Sequence, residues 1–275
     1  MIEPHLDALA ILDQARAAGS SIPVEEEATW GVYAAEMRGL VLQADRDAGG
    51  AWTLTGDKPW CSLADRLDAA LVTAHLADGG RALFAVSLQG PSVTVRENTW
   101  HATGLTAVTS GPVRFEATVA EPVGAAGWYL RRPGFAWGGI GVAACWWGGA
   151  VGVARALRDA AGAEPDPILA LHLGLVDAAV ETGRLALAEA ARRVDDGRAE
   201  GAAGAVLAAR TRNVVAAAAT AILDHVGRAL GPAPLALDAT HARRVADLAL
   251  YLRQHHGERD EAALGAAVAP GGTAW

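Results

Sequence analysis

The apolar residues of this chain change their spacing once, near Pro133, and that change restricts the fold more than any other feature. From Val24 to about Glu121, short apolar or alternating runs recur at Gly39–Ala44, Trp52–Thr55, Ala69–His75, Ala82–Leu88, Val93–Val95 and Val113–Val119. Between them lie turn signals: AGG at 48–50, GD at 56–57, DGG at 78–80 and GP at 90–91. Such spacing predicts an all-β block. After Pro133, alanine-rich stretches with helical periodicity take over, at 133–159, 167–196, 201–230 and 238–257. In the second of these, Leu169, Leu173, Val176, Val180 and Leu187 recur at steps of three, four or seven, which puts one apolar stripe on a long helix. Asp238 can cap the start of the last helix and Gly257 can end it, while Pro232 and Pro234 break the chain before it. Strands followed by four long helices predict an α+β chain whose C-terminal part is a four-helix bundle.

With 275 residues and 28.2 kDa the chain can bury a core without disulfide or metal staples. Its 52% hydrophobic and 20% charged residues exclude wholesale disorder, collagen-like repeats and a multi-pass membrane protein. A formal charge of −8 and a pI near 5.5 argue against a nucleic-acid partner, because phosphates demand clustered Lys and Arg. Cys61 and Cys145, 84 positions apart, match no metal or redox spacing; reduced thiols imply a cytoplasmic protein. The N-terminus reads as a short amphipathic helix over residues 1–23, since no basic segment leads into an unbroken apolar stretch. Residues 133–154 hold 22 positions without a charge, nominally enough to cross a bilayer. Seven glycines between Gly134 and Gly152 lower its hydrophobicity, so the segment reads as a buried central helix and no membrane span is expected. Within it, Gly139-Ile-Gly141-Val-Ala-Ala144 fits a relaxed dinucleotide fingerprint, but no strand leads into it and a phosphate cradle is not expected.

No Ser-His-Asp elbow, Walker loop, zincin helix or EF-hand loop occurs, which removes the hydrolase, NTPase and metalloenzyme readings that need them. His255 and His256 are adjacent, so on a helix they point about 100° apart and would not share one ion. His172, His225 and His241 fall on three different predicted helices and read as packed or surface groups. No metal site is expected.

The segment Trp52-Thr-Leu-Thr-Gly-Asp-Lys-Pro-Trp60-Cys-Ser62 carries the most information. It resembles the β-domain signature of the acyl-CoA dehydrogenase superfamily, in which an aromatic residue packs against the flavin ring. The similarity continues through Ala69–His75, Ala82–Leu88, Gly104–Phe115, Glu121-Pro-Val-Gly124 and the apolar helix after Arg132, covering most of residues 27–160. The resemblance implies an antiparallel, β-barrel-like middle domain over residues 24–125, joined to the bundle at 133–275, with FAD between them and across a dimer interface. It implies that Trp60 stacks on the flavin and that the Ser62 hydroxyl hydrogen-bonds it. An aromatic face shields a reduced ring from water, and a hydroxyl donor stabilises charge arriving on it.

Three departures from the family pattern shape the expectation. A helical domain of about a hundred residues usually precedes the β block, whereas here residues 1–23 stand as a remnant of it, so a second copy or a related subunit is expected to cover the apolar face left open. Where relatives carry an Arg-x-x-Phe-Gly segment for the cofactor phosphates, this chain has Gly162-Ala-Glu-Pro-Asp-Pro-Ile168, without an arginine and with acidic groups. Dehydrogenation of a thioester needs a carboxylate to take the α-proton, yet the comparable segment is Leu250-Tyr-Leu-Arg-Gln-His255-His256-Gly257. Alignment on Gly257 makes His256 the base, and alignment on Asp247 and Tyr251 makes it His255. The function expected is that of an acyl-CoA dehydrogenase-like flavoprotein oxidoreductase acting on an acyl thioester or related small substrate, as a homodimer or with a related subunit. The alternative is a degenerate member without flavin, serving as a structural partner or in non-redox chemistry.

Overall fold

The computed structural model describes residues 3–20, 22, 27–96 and 99–269. The expected boundary between residues 23 and 24 therefore lies outside the described residues. The chain divides into two compact units, one formed by residues 1–101 with 106–135, the other by 102–105 with 136–275.

In the first unit, helix α1 (Glu3–Ala17) precedes strands β1 (Trp30–Tyr33), β2 (Leu42–Arg46), β3 (Trp52–Lys58), β4 (Ala69–Leu76), β5 (Arg81–Ser87), β6 (Val93–Val95), β7 (Val113–Val119) and β8 (Glu121–Val123), and a single turn, α2 (Trp128–Arg131), follows. The strands make one sheet in the order β6-β7-β3-β2-β4-β5-β8, with β1 added beside β4. Six of the predicted strand runs coincide with observed strands in whole or part, because alternation and turn chemistry are local signals. The barrel-like, all-antiparallel arrangement does not hold. The sheet is mixed and open: β4 pairs in parallel with both β1 and β2, and the end strands of the order, β6 and β8, are three residues long and pair only inward among the described residues. Parallel neighbours are joined by long connections, which leave no trace in local periodicity.

The middle of the sheet is buried on both faces, as the near-continuous apolar runs of β4 and β5 require. Ala70, Val72 and Ala74 face one core with Leu42, Leu54, Phe84, Val86, Val113 and Phe115. Their neighbours Ala69 and Leu71 face the other, where Leu83, Ala85 and Val123 meet Ala8, Ile11, Leu12 and Ala15 of α1. The two-residue period of an extended chain thus feeds two cores from one strand. Gly56 marks a register shift between β3 and β7. It has φ +126°, and a Cβ there would collide with the carbonyl oxygen of Val41, so the glycine of the signature is required by backbone crowding.

The second unit is helical: α3 (Phe135–Ala161), α4 (Pro167–Asp195), α5 (Gly201–Leu230), α6 (Ala233–Leu237), α7 (Ala239–Tyr251), a 3₁₀ turn (Leu252–Gln254) and α8 (Glu258–Val268). One core takes Ala143, Trp146, Ala150, Val153 and Leu157 from α3, Val176 from α4, Val215, Ala219, Ile222 and Val226 from α5, and Leu248 from α7. The α3 residues follow steps of three and four, the spacing of one helix face. By length and composition α3 and α5 could each cross a membrane, but both lend their apolar faces to this core. The glycines of the 139–144 motif lie inside α3, where Arg212 donates to the Gly139 carbonyl at 3.1 Å. α8 was not expected. The last predicted helix stops short of Gly257: α7 ends at Tyr251 and the 3₁₀ turn at Gln254. Gly257, at φ +57°, instead precedes a new helix, whose first turn Glu258, Asp260 and Glu261 crowd, where acidic groups meet its positive dipole end.

Candidate functional site

The signature segment separates in space into buried props and one exposed ring. Trp52 packs edge-on against Phe84 with centroids 5.3 Å apart, and Leu54 is fully buried. Lys58, the only lysine, is 1% exposed. Its Nζ donates to Glu36 Oε1, Thr73 O and Thr73 Oγ1, each at 2.9 Å, which uses all three ammonium hydrogens. Burial pulls the Lys58 pKa down, and Glu36 partly restores it. Glu36 also meets Arg81 at 2.9 Å and His75 Nε2 at 3.0 Å. Burial raises its pKa, but hydrogen bonds from His75 and Lys58, with the charges of Lys58 and Arg81, hold it below the usual carboxylate range.

After β3, the chain turns sharply. Trp60 adopts φ +60° and Leu63 φ +57°, left-handed conformations that cost a non-glycine residue about 1–2 kcal/mol each. Backbone bonds to the segment before β7 hold the turn: Cys61 N–H donates to Gly111 O at 3.1 Å and Leu63 N–H to Thr109 O at 2.9 Å. The Tyr33 hydroxyl donates to Ser62 O at 3.0 Å. Cys61 is buried, and its thiol pKa is pushed up to about 12, so it is a packing group and no nucleophile. The indole of Trp60, by contrast, is 48% exposed. Ser62 Oγ lies 2.7 Å from Ser110 Oγ, and Ser110 Oγ donates to Val108 O at 3.2 Å. One hydroxyl hydrogen of the pair is committed to Val108, the other lies between the two oxygens, and Ser62 is left with lone pairs to offer. The residues fit one face of a planar, hydrogen-bonding ring: an aromatic plate on a fixed mount, with a hydroxyl two residues along. A hollow of about 550 Å³ in the same unit is lined by Ala34, Thr73, Arg81, Tyr129, Leu130 and Phe135 among others, but not by Trp60 or Ser62.

The two histidines expected as bases lie in the helical unit and differ sharply. His255 follows the 3₁₀ turn, its ring edge-on to Trp146 at 6.1 Å. Its Nε2 lies 3.0 Å from Asn213 Oδ1, and Gly257 N–H donates to its Nδ1 at 3.3 Å. These contacts define the Nε2–H tautomer with both nitrogens engaged. Burial lowers its pKa, Asp260 opposes that and Arg212 adds to it, so the neutral ring is favoured. Arg212 stacks over Trp146 at 4.7 Å and donates to Gln254 O at 3.1 Å, bracing the same corner. His256 is exposed, with Nδ1 3.3 Å from Asp260 Oδ1. In the neutral ring, a carboxylate holding Nδ1–H leaves Nε2 with a free lone pair. Asp260 also accepts from the His256 backbone N–H, tying it to the start of α8.

The loop after α3 has a structural use for its acid. Asp166 Oδ1 accepts from Ile168 N–H at 2.9 Å and Leu169 N–H at 3.0 Å and so caps α4. A further pair escaped the sequence reading. His172 of α4 and His225 of α5 face each other with Nδ1 atoms 3.2 Å apart. They are 53 residues apart, and only the register between the two helices joins them, which single-helix periodicity does not record. Among the described residues, no group of three or more His, Cys, Asp or Glu gathers for a metal ion.

No protein-family profile matches the chain, and no curated protein matches it by sequence. Solved structures do resemble it. XiaF from Streptomyces sp., in complex with FADH2 and glycerol, superposes with a TM-score of 0.80 at 18% identity over 98% of this chain and 76% of that one. Methanesulfinate monooxygenase from Pseudomonas fluorescens gives 0.79 at 17% identity, over 99% and 79%. Butyryl-CoA dehydrogenase from Megasphaera elsdenii gives 0.74 at 18% identity, over 88% and 68%.

Proposed function

The chain has the fold of the acyl-CoA dehydrogenase-like flavoproteins, and we propose that it is a flavin-dependent oxidoreductase acting on a small organic substrate. The observation that carries this reading is Trp60: a half-exposed indole on a strained turn that two backbone bonds hold in place. Strain of that kind concentrates where function requires a particular presentation. A bound flavin would supply two-electron transfer to or from the substrate. Trp60 would cover one face of its ring and exclude water, and Ser62 would accept a hydrogen bond from a ring N–H. If the ring presents an acceptor instead, Ser62 turns its hydroxyl hydrogen outward and gives up its bond to Ser110.

FAD is the form implied by the sequence resemblance. The 162–166 loop brings no cation for its phosphates, so the binding assay compares FAD with FMN. For an acyl thioester, the chain must supply a base. His256 is the freer candidate, with Asp260 orienting its Nδ1–H and leaving Nε2 to take a proton, whereas His255 would first have to release Gly257. Exposed Ile168, Leu171, Leu175 and Leu185 along α4 favour association as a homodimer or with a related subunit, the four long helices acting as the bundle, in the cytoplasm where reduced thiols persist.

Purified chain incubated with FAD or FMN and passed through gel filtration tests the reading: flavin absorbance that travels with the protein supports it. Protein that stays colourless with both flavins overturns it and favours the second reading, a flavin-free partner subunit, for which the cation-poor loop speaks.

A further inference from the structure

His172 and His225 form the one contact between two imidazole rings that the helical unit builds across separate elements, among the described residues. The rings are part-buried, Nδ1 faces Nδ1 at 3.2 Å, and the centroids lie 5.4 Å apart with the planes inclined at 46°. Core residues flank both in sequence, Leu169, Leu173 and Val176 on α4 and Ile222 and Val226 on α5, so the backbone carrying each ring is fixed by packing. Neither ring has a further side-chain partner among the described residues. Two neutral imidazoles facing in this way hold one hydrogen between them, and one Nδ1 always presents a lone pair.

We propose that this pair is a two-imidazole site for a borderline divalent transition-metal ion of the Zn²⁺, Ni²⁺ and Cu²⁺ class, with water in the remaining positions. A tetrahedral ion holding imidazole nitrogens at about 2.0–2.1 Å sets them about 3.3 Å apart, close to the separation already present. The rings now meet nearly head-on. A modest swing of each about χ2, a soft torsion for histidine, aims both lone pairs at a common point beside them. The hydrogen between the rings moves to Nε2 of its own ring by exchange with water, so both rings stay neutral and both Nδ1 atoms bind. Protein ligands that are nitrogen alone select against Mg²⁺ and Ca²⁺, which favour carboxylate and carbonyl oxygen. With no third protein ligand gathered, the ion keeps open positions and exchanges readily, unlike a closed structural zinc.

Calorimetric titration of the chelator-stripped, full-length protein with Zn²⁺ is expected to show one saturable, readily reversed site per chain, and Mg²⁺ none. His172→Asn and His225→Asn should each weaken Zn²⁺ binding at least tenfold, while His101→Asn, at an exposed position of the other unit, leaves it unchanged. Saturating Zn²⁺ should raise the unfolding temperature of the wild type and of neither paired-histidine variant. Cu²⁺ bound to the wild type should show electron-spin coupling to two imidazole nitrogens, a readout that does not depend on how the variants fold. Zn²⁺ affinity unchanged in both variants, no binding to the wild type, or coupling to fewer than two nitrogens would overturn the proposal.

Discussion

An ammonium with almost no solvent contact must find its acceptors within the protein, and Lys58 finds three, one of them shared with Arg81 and His75 through Glu36. Glu36→Gln leaves that ammonium without its counter-charge and should cost about 1–3 kcal/mol at neutral pH. Because the folded pKa of Glu36 lies below its unfolded value, its contribution is present above about pH 4.3 and fades as the pH falls through the folded value. Denaturant titrations of wild type and Glu36→Gln should therefore converge in acid. Trp60 is the opposite case, a residue held where its own backbone resists. Glycine tolerates a left-handed φ and alanine does not, so Trp60→Gly should be about 1 kcal/mol more stable than Trp60→Ala, as chemical denaturation would show. At this scale the sequence was partly legible. The signature drew attention to Trp60, whose indole is half-exposed, and to Ser62, but did not tell that Lys58 and Gly56 serve packing, since a motif lists residue types without saying which side chains turn inward.

Each helix is set by a face and by its ends, and both can be weighed. Asp166 is one of the acidic groups in the segment where relatives hold cofactor phosphates. It is the cap of α4, and Asp166→Ala should lower stability by about 1 kcal/mol, measurable as a shift in the urea midpoint. At the other end of the chain, Glu3 begins α1, and burial, with the negative charge of Asp7, pushes its pKa up to about 7. An acid with a raised folded pKa contributes fully below its unfolded value and loses that contribution as the pH rises through about 7. Glu3→Gln should match wild type at pH 4 and exceed it by about 2 kcal/mol at pH 8, compared by thermal unfolding at both pH values. The stripes of α3 and α4 were readable because a 3.6-residue period is written along one segment. The meeting of His172 with His225 was not, because it depends on how two helices slide against each other.

Across the whole molecule, strands gave way to helices at the predicted place, while the sheet turned out mixed and open where an antiparallel barrel-like domain was expected. Local alternation reports that a strand exists, and its partners are chosen by long-range packing. The account of function rests on the indole at position 60 meeting a flavin, and equilibrium titration of wild type and Trp60→Ala with FAD and FMN tests that most directly. Loss of a stacked aromatic face is worth about 1.5 kcal/mol, so the variant should bind whichever flavin the wild type takes about tenfold more weakly. Equal affinity of the two proteins for that flavin would contradict the account.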